Sequence, residues 1–113
     1  MVPASKYRNR KTVVDGFTFD SKLEAERYRE LCVLQRTDVV RLFLRQVPFD
    51  LAPGVRYRLD FLVIWNRPGT SDVGITYEDT KGHMTATSRV KIKTVEHLFG
   101  IRIAVLTRAD VGR

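Results

Sequence analysis

Asp79 and Lys81 stand two residues apart at the end of an apolar run, and Asp60 interrupts the apolar run before it. Read with a period of two, Val73, Ile75 and Tyr77 line one side of a strand, and Asp79 and Lys81 continue that side. In Tyr57-Arg58-Leu59-Asp60-Phe61-Leu62-Val63-Ile64-Trp65, Asp60 shares the face of Leu62 and Ile64. An ionised group is expensive to desolvate without a partner, so an apolar face that ends in acid and lysine calls for one. A divalent metal held by Asp60 and Asp79, with Lys81 beside it, meets that need. Magnesium takes oxygen ligands, usually one or two carboxylates with waters and substrate phosphate oxygens. Such an ion polarises a phosphate and lowers the pKa of its bound water, while Lys81 stabilises negative charge as it develops. This is the equipment of a nuclease. The competing reading is a surface ion pair between Asp79 and Lys81 at a frayed strand end, because Asp-x-Lys is a very short motif.

A third acid comes from the first helical pattern. At about 100° per residue, Leu23, Leu34, Leu31 and Tyr28 form one apolar arc with Glu24 near its middle, while Glu26 and Glu30 fall outside or at its margin. A carboxylate on that face can reach the strand ends and join the metal site. Ser21-Lys22-Leu23-Glu24 is equally a capping box, in which Glu24 turns back to its own helix start. A later helix repeats the anomaly with the opposite sign. Val90, Leu98, Val95 and Phe99 mark its inner arc, and Lys91 projects into that arc, while Arg89, Lys93 and His97 look outward. Lys91 either snorkels past its apolar neighbours or, with Lys93, holds the substrate backbone beside the metal. Gln46, before Pro48 in an apolar strand, is a weaker candidate for a polar group facing the site. Tyr7, Tyr57 and Trp65 read as core or interface, and His83 as an incidental turn residue or a proton relay.

These residues need a scaffold, and the chain supplies the signals for one. Thr12 to Phe19 reads as a β-hairpin turned by Asp15-Gly16. Asp20 or Ser21 caps a helix running to about Arg36. Strands follow over roughly Val40–Phe49 and Arg56–Trp65, then a turn at Asn66-Arg67-Pro68-Gly69 and a strand over Val73–Lys81. Thr87 or Ser88 opens a second helix ended by Gly100, and Ile101–Thr107 closes as a strand. The expectation is an α/β fold with a mixed sheet and helices on its faces, preceded by a hairpin.

Composition bounds the partners. The chain has 113 residues and reads as a single domain, with a basic arm over residues 1–11. Twenty Lys and Arg against 13 Asp and Glu leave a net charge of +7, which favours a polyanionic partner through release of counterions. Lys6, Arg8, Arg10 and Lys11 form one basic cluster, and Lys81, Arg89, Lys91 and Lys93 another. No apolar run approaches the roughly 20 residues of a membrane span, and no signal-peptide pattern follows the basic start. One cysteine, Cys32, excludes an internal disulfide, and neither it nor the two histidines has zinc-finger spacing. The reading is a cytoplasmic protein without a structural metal or a membrane partner.

Phe19-Asp20-Ser21-Lys22-Leu23-Glu24, Leu59-Asp60-Phe61 and Tyr77-Glu78-Asp79-Thr80-Lys81-Gly82 together resemble the PD-(D/E)xK, or restriction-endonuclease-like, nuclease superfamily. In detail the chain looks like a small phage-encoded branch related to archaeal-type Holliday-junction resolvases, over about Lys6 to Thr107. The resemblance implies an αβββαβ core, Glu24, Asp60 and Asp79 as ligands of Mg²⁺ or Mn²⁺, and Lys81 as the catalytic lysine. It further implies a homodimer acting on four-way or other branched DNA. Leu59 stands where the superfamily's name-giving proline would be. The second acid is Asp79 with Glu78 beside it, which leaves a swap of roles between them open. The alternatives are a nicking or duplex endonuclease of the same fold, or a non-catalytic DNA-binding protein that keeps the basic arms. An RNA-binding protein fits less well, because the usual aromatic stacking motifs are missing.

Overall fold

The computed structural model describes residues 11–112. Asp15 and Gly16, at φ 53° and 81°, turn the hairpin of β1 (Thr12–Val14) and β2 (Phe17–Phe19). Ser21 then caps α1 (Lys22–Arg36), its Oγ accepting the Glu24 amide at 3.1 Å. β3 (Val40–Ala52) and β4 (Val55–Asn66) run further than the sequence pattern suggests, because Pro53-Gly54 closes them in a tight turn with Gly54 at φ 77°. β5 (Val73–Thr80), α2 (Ala86–Phe99) and β6 (Ile103–Leu106) complete the chain.

The four long-range strands form one mixed sheet in the order β3-β4-β5-β6, antiparallel except for the final parallel pair. The crossover between β5 and β6 is α2, as parallel neighbours require. Pro48 is tolerated because β3 is an edge strand. Among the described residues, two helices, a four-stranded mixed sheet and an N-terminal hairpin make this the expected α/β fold.

The apolar core has two parts. Phe19, Ala25, Tyr28, Leu31, Val40, Phe61 and Val63 pack between α1, the hairpin and the sheet. Tyr57, Leu59, Ile92, Val95 and Ile103 pack under α2. Leu59 and Phe61 are two apart on one strand yet belong to different clusters, so the boundary passes at Asp60. Across β3, Arg45 pairs with Phe61 and Val47 with Leu59, which puts Gln46 level with Asp60. Gln46 has a left-handed backbone, φ 54°, a conformation that β-strands do not otherwise use.

Two expectations for α2 need correction. The helix starts earlier than Thr87 or Ser88: Thr85 is its cap, with Oγ1 accepting the Ser88 amide at 3.0 Å. Its inner face is Ile92 and Val95, whereas Val90, Leu98 and Phe99 are 63%, 52% and 46% exposed. Apolar residues occur on more than one side of this helix, so periodicity offers two candidate faces. Packing against Leu59 and Ile103 selects the one built on Ile92 and Val95. The closing strand is also shorter than Ile101–Thr107.

Candidate active site

The end of β5 is where charge enters the fold. Phe61 pairs with Glu78 across β4 and β5, so the next step in this register sets Asp60 against Asp79. Gln46, Asp60 and Asp79 therefore lie in one row across three strands. Asp79 is 2% exposed, and Lys81 Nζ lies 3.2 Å from its Oδ2. That contact is an ion pair, but not the surface pair of a frayed strand. Asp79 Oδ2 is buried without a hydrogen bond, and the Lys81 amide stays tied to Leu106 O at 2.9 Å.

Glu78 has a different fate. Arg27 of α1 grips it with two bonds, Nε to Oε1 at 2.8 Å and Nη2 to Oε2 at 2.7 Å. Successive residues of a strand point to opposite faces, which sends Glu78 to α1 and Asp79 away from it. Glu78 is thus neutralised by a buried fork, and Asp79 is the acid of the pair that meets Lys81.

Asp60 is held from β5. Thr80 donates twice to its Oδ2, through the backbone amide and through Oγ1, each at 2.8 Å. Burial pushes the Asp60 carboxyl up to about 8, with the charges of Asp79 and Glu24 adding to the effect and the Thr80 amide opposing it. Glu24, on the buried face of α1 as its arc implied, is 3% exposed. Its carboxyl is also raised, first by burial and then by Asp20, against the lowering influence of Arg45, the Asp20 backbone and Gln46. Gln46 Nε2 donates to Glu24 Oε2 at 2.9 Å. The Ser21 half of the capping box is thus formed with the Glu24 amide, while the Glu24 carboxylate accepts from Gln46 of β3.

Glu24, Asp60 and Lys81 line one cavity of about 600 Å³, together with Asp20, Ser21, Thr80, Gly82, His83, Thr85 and Ser88. Asp79 is not on its surface, being buried beside Asp60 and Lys81. One wall is acidic, and the other is the start of α2, whose first turn holds no acid. The donor set suits a hard divalent cation: the carboxylates of Glu24 and Asp60 line the cavity, and Asp79 Oδ2 lies behind them, paired with Lys81. Among the described residues, no three His, Cys, Asp or Glu side chains stand close enough to form a ready metal-binding group. The carboxylates are neighbours around a cavity and not a closed ligand shell.

Sequence reasoning overlooked Thr80, whereas Tyr57, read as core or interface, is in the core under α2. The Tyr57 hydroxyl is buried without a hydrogen-bond partner, and its pKa is raised by burial and by the nearby charge of Asp79. Thr80 carried a weak signal, sitting inside Asp-x-Lys. The basic residues of α2 do not reach the acidic cavity. Lys91 lines an apolar groove with Leu51, Val55 and Val90, and Lys93 lines another beside Arg89 and Glu96. Neither lysine is therefore among the residues that line the acidic cavity. Lys11 is exposed, 3.4 Å from Asp20, while Lys6, Tyr7, Arg8 and Arg10 lie outside the described residues.

The family model described as a protein of unknown function, DUF1064, matches residues 4–109. The chain belongs to the DUF1064 family. No curated protein and no solved structure matches it. The family match takes in every acid, lysine and polar group that surrounds the DUF1064 chain's cavity. No helix among the described residues is long and apolar enough to cross a membrane.

Proposed function

We propose that this protein is a metal-dependent endonuclease of the PD-(D/E)xK type, acting on DNA and in particular on branched substrates such as four-way junctions. The observation that carries the reading is the meeting of Glu24, Asp60 and Lys81 around one cavity, with Asp79 buried behind them. Those four residues come from α1, β4 and the end of β5, in the order that the resemblance implies. Glu24, Asp60 and Asp79 would hold Mg²⁺ or Mn²⁺. Such an ion, when bound, activates water and stabilises charge on the phosphate.

The chain's own residues supply the rest. Burial first, and then the charges of Asp79 and Glu24, make the Asp60 carboxyl hold its proton, which a bound cation would displace. Thr80 orients Asp60 with two bonds to the same oxygen. Lys81, with its side chain 24% exposed, can touch a phosphate in the cavity while the ion pair with Asp79 holds it in place. The reading favours recognition of DNA by shape, through phosphates, over recognition by base sequence. The +7 charge supports a nucleic-acid partner, and the resemblance supports a homodimer working in the cytoplasm.

The test is cleavage of a labelled four-way junction and its matched linear duplex, with Mg²⁺, with Mn²⁺ and with chelator, and with Asp79→Asn alongside. Paired, metal-dependent cuts confined to the junction are expected. Cutting of both substrates would retain the nuclease and leave the duplex or nicking alternative. Tight binding without cleavage under every condition would overturn the enzymatic reading in favour of a DNA-binding protein.

A further inference from the structure

Gln46 combines features that folding alone does not require. It lies within β3, between the regular pairs Arg45↔Phe61 and Val47↔Leu59, yet its φ is 54°. Glutamine gains nothing from the left-handed region, which Gly, Asn and Asp occupy far more readily. Strain of this kind persists where surrounding structure holds it and clusters where a side chain must be aimed. Here the aim is visible. The Gln46 amide reaches 2.9 Å to Glu24 Oε2, across the gap between α1 and the sheet. The same residue lies level with Asp60 and marks the division between the two apolar clusters.

The neighbouring residue reinforces the arrangement. The Arg45 guanidinium lies over the rings of Phe17 and Phe19, at 4.6 and 4.3 Å from their centroids. Its charge also acts on Glu24. Adjacent strand residues normally point to opposite faces, whereas Arg45 and Gln46 both act on one carboxylate. The left-handed backbone at Gln46 is the local break in that alternation.

We infer that Gln46 is a positioning residue, which turns the Glu24 carboxylate from its own helix cap toward Asp60 and so completes the cation site. The inference rests on the nuclease reading and adds to it a specific role for β3. Outer partners that orient a ligand typically change metal affinity about 10- to 100-fold when removed.

Gln46→Asn separates the side chain from the backbone. Asparagine accepts the left-handed conformation more readily but is one methylene too short to reach Glu24. The full chain and the variant are titrated with Mn²⁺ by calorimetry, and thermal unfolding is recorded for both without metal. Expected is an unchanged or higher Tm together with Mn²⁺ affinity at least about 10-fold weaker. Gln46→Met, which keeps length but cannot donate, should weaken Mn²⁺ binding similarly. Unchanged Mn²⁺ affinity in both folded variants would overturn the positioning role while leaving the nuclease reading intact. A wild-type chain that takes up no Mn²⁺ would overturn the metal reading itself, and this inference with it.

Discussion

At Asp60 the fold keeps a carboxyl where its charge is poorly tolerated. Its ordinary value of 3.8 rises to about 8, through burial first and then through Asp79 and Glu24. The sign follows from the folded state holding the proton more tightly than the unfolded chain does. Stability from this group is fully present below 3.8 and is lost as pH rises through about 8. Unfolding without metal should therefore show Tm falling as pH rises toward about 8, and Mg²⁺ should recover most of the loss there. Asp60→Asn should raise metal-free stability at that pH by about 1–3 kcal/mol while abolishing cleavage. A Tm independent of pH in the wild type would contradict the crowding of these carboxyls. Glu78 and Asp79 offer a contrast between adjacent acids. Glu78→Gln leaves the buried Arg27 charge to Glu30, which lies 3.1 Å away. It should cost about 3 kcal/mol of stability, with cleavage retained in the folded fraction. Asp79→Asn should instead lose activity by about 10²-fold or more. The reverse pattern, read from cleavage rates and thermal melts together, would exchange their roles.

Among the elements, α2 shows how packing chooses between faces. Ile92 and Val95 enter the core beside Leu59 and Ile103, while Val90 points to solvent despite its apolarity. Ile92→Ala should cost about 2–5 kcal/mol, whereas Val90→Ser should stay within about 0.5 kcal/mol. Denaturant titration distinguishes these, and similar losses from the two would return Val90 to the core. Helix α1 is far more legible. Leu23, Glu24, Tyr28 and Leu31 share one arc in the sequence and one buried face in the fold. The difference lies in the spacing: α1 has one apolar stripe, and α2 has apolar residues on both sides. The hairpin is equally clear, since Asp15-Gly16 supplies the positive φ values of its own turn.

At the scale of the molecule, Arg89 and Lys93 of α2 lie off the acidic cavity, whereas Lys81 lines it and Lys11 pairs with Asp20 at its edge. The acidic wall of the cavity is built from α1 and β4, while Arg89 and Lys93 are exposed on α2 and the N-terminal cluster adds Lys11. On the proposed function, a net charge of +7 would draw DNA to the surface, and a bound cation would screen the acids there. Neutralising Lys6, Arg8, Arg10 and Lys11 should weaken DNA binding and flatten its salt dependence. The logarithmic slope should fall by about 0.9 for each phosphate that is no longer neutralised. Binding isotherms over a range of salt measure this directly. An unchanged slope would show that this cluster does not touch phosphate.

The sequence by itself determined the types of residue, the order of elements and the buried face of α1. Turn chemistry, capping and periodicity act over a few residues, so Asp15-Gly16, Ser21 and the alternation around Asp79 could be read locally. It also marked Glu24, Asp60, Asp79 and Lys81 as charges in apolar surroundings. Only the tertiary structure decided which groups meet. Arg27 and Glu78 lie 51 residues apart in the chain, and their pairing engages the carboxylate next to Asp79. Gln46 and Glu24 are joined across 22 residues by a backbone conformation that the sequence does not announce. The rotation of α2 likewise depended on the partners beneath it. Local forces shape strands and helices; long-range packing decides which charge finds a counter-charge and which is left facing the cavity.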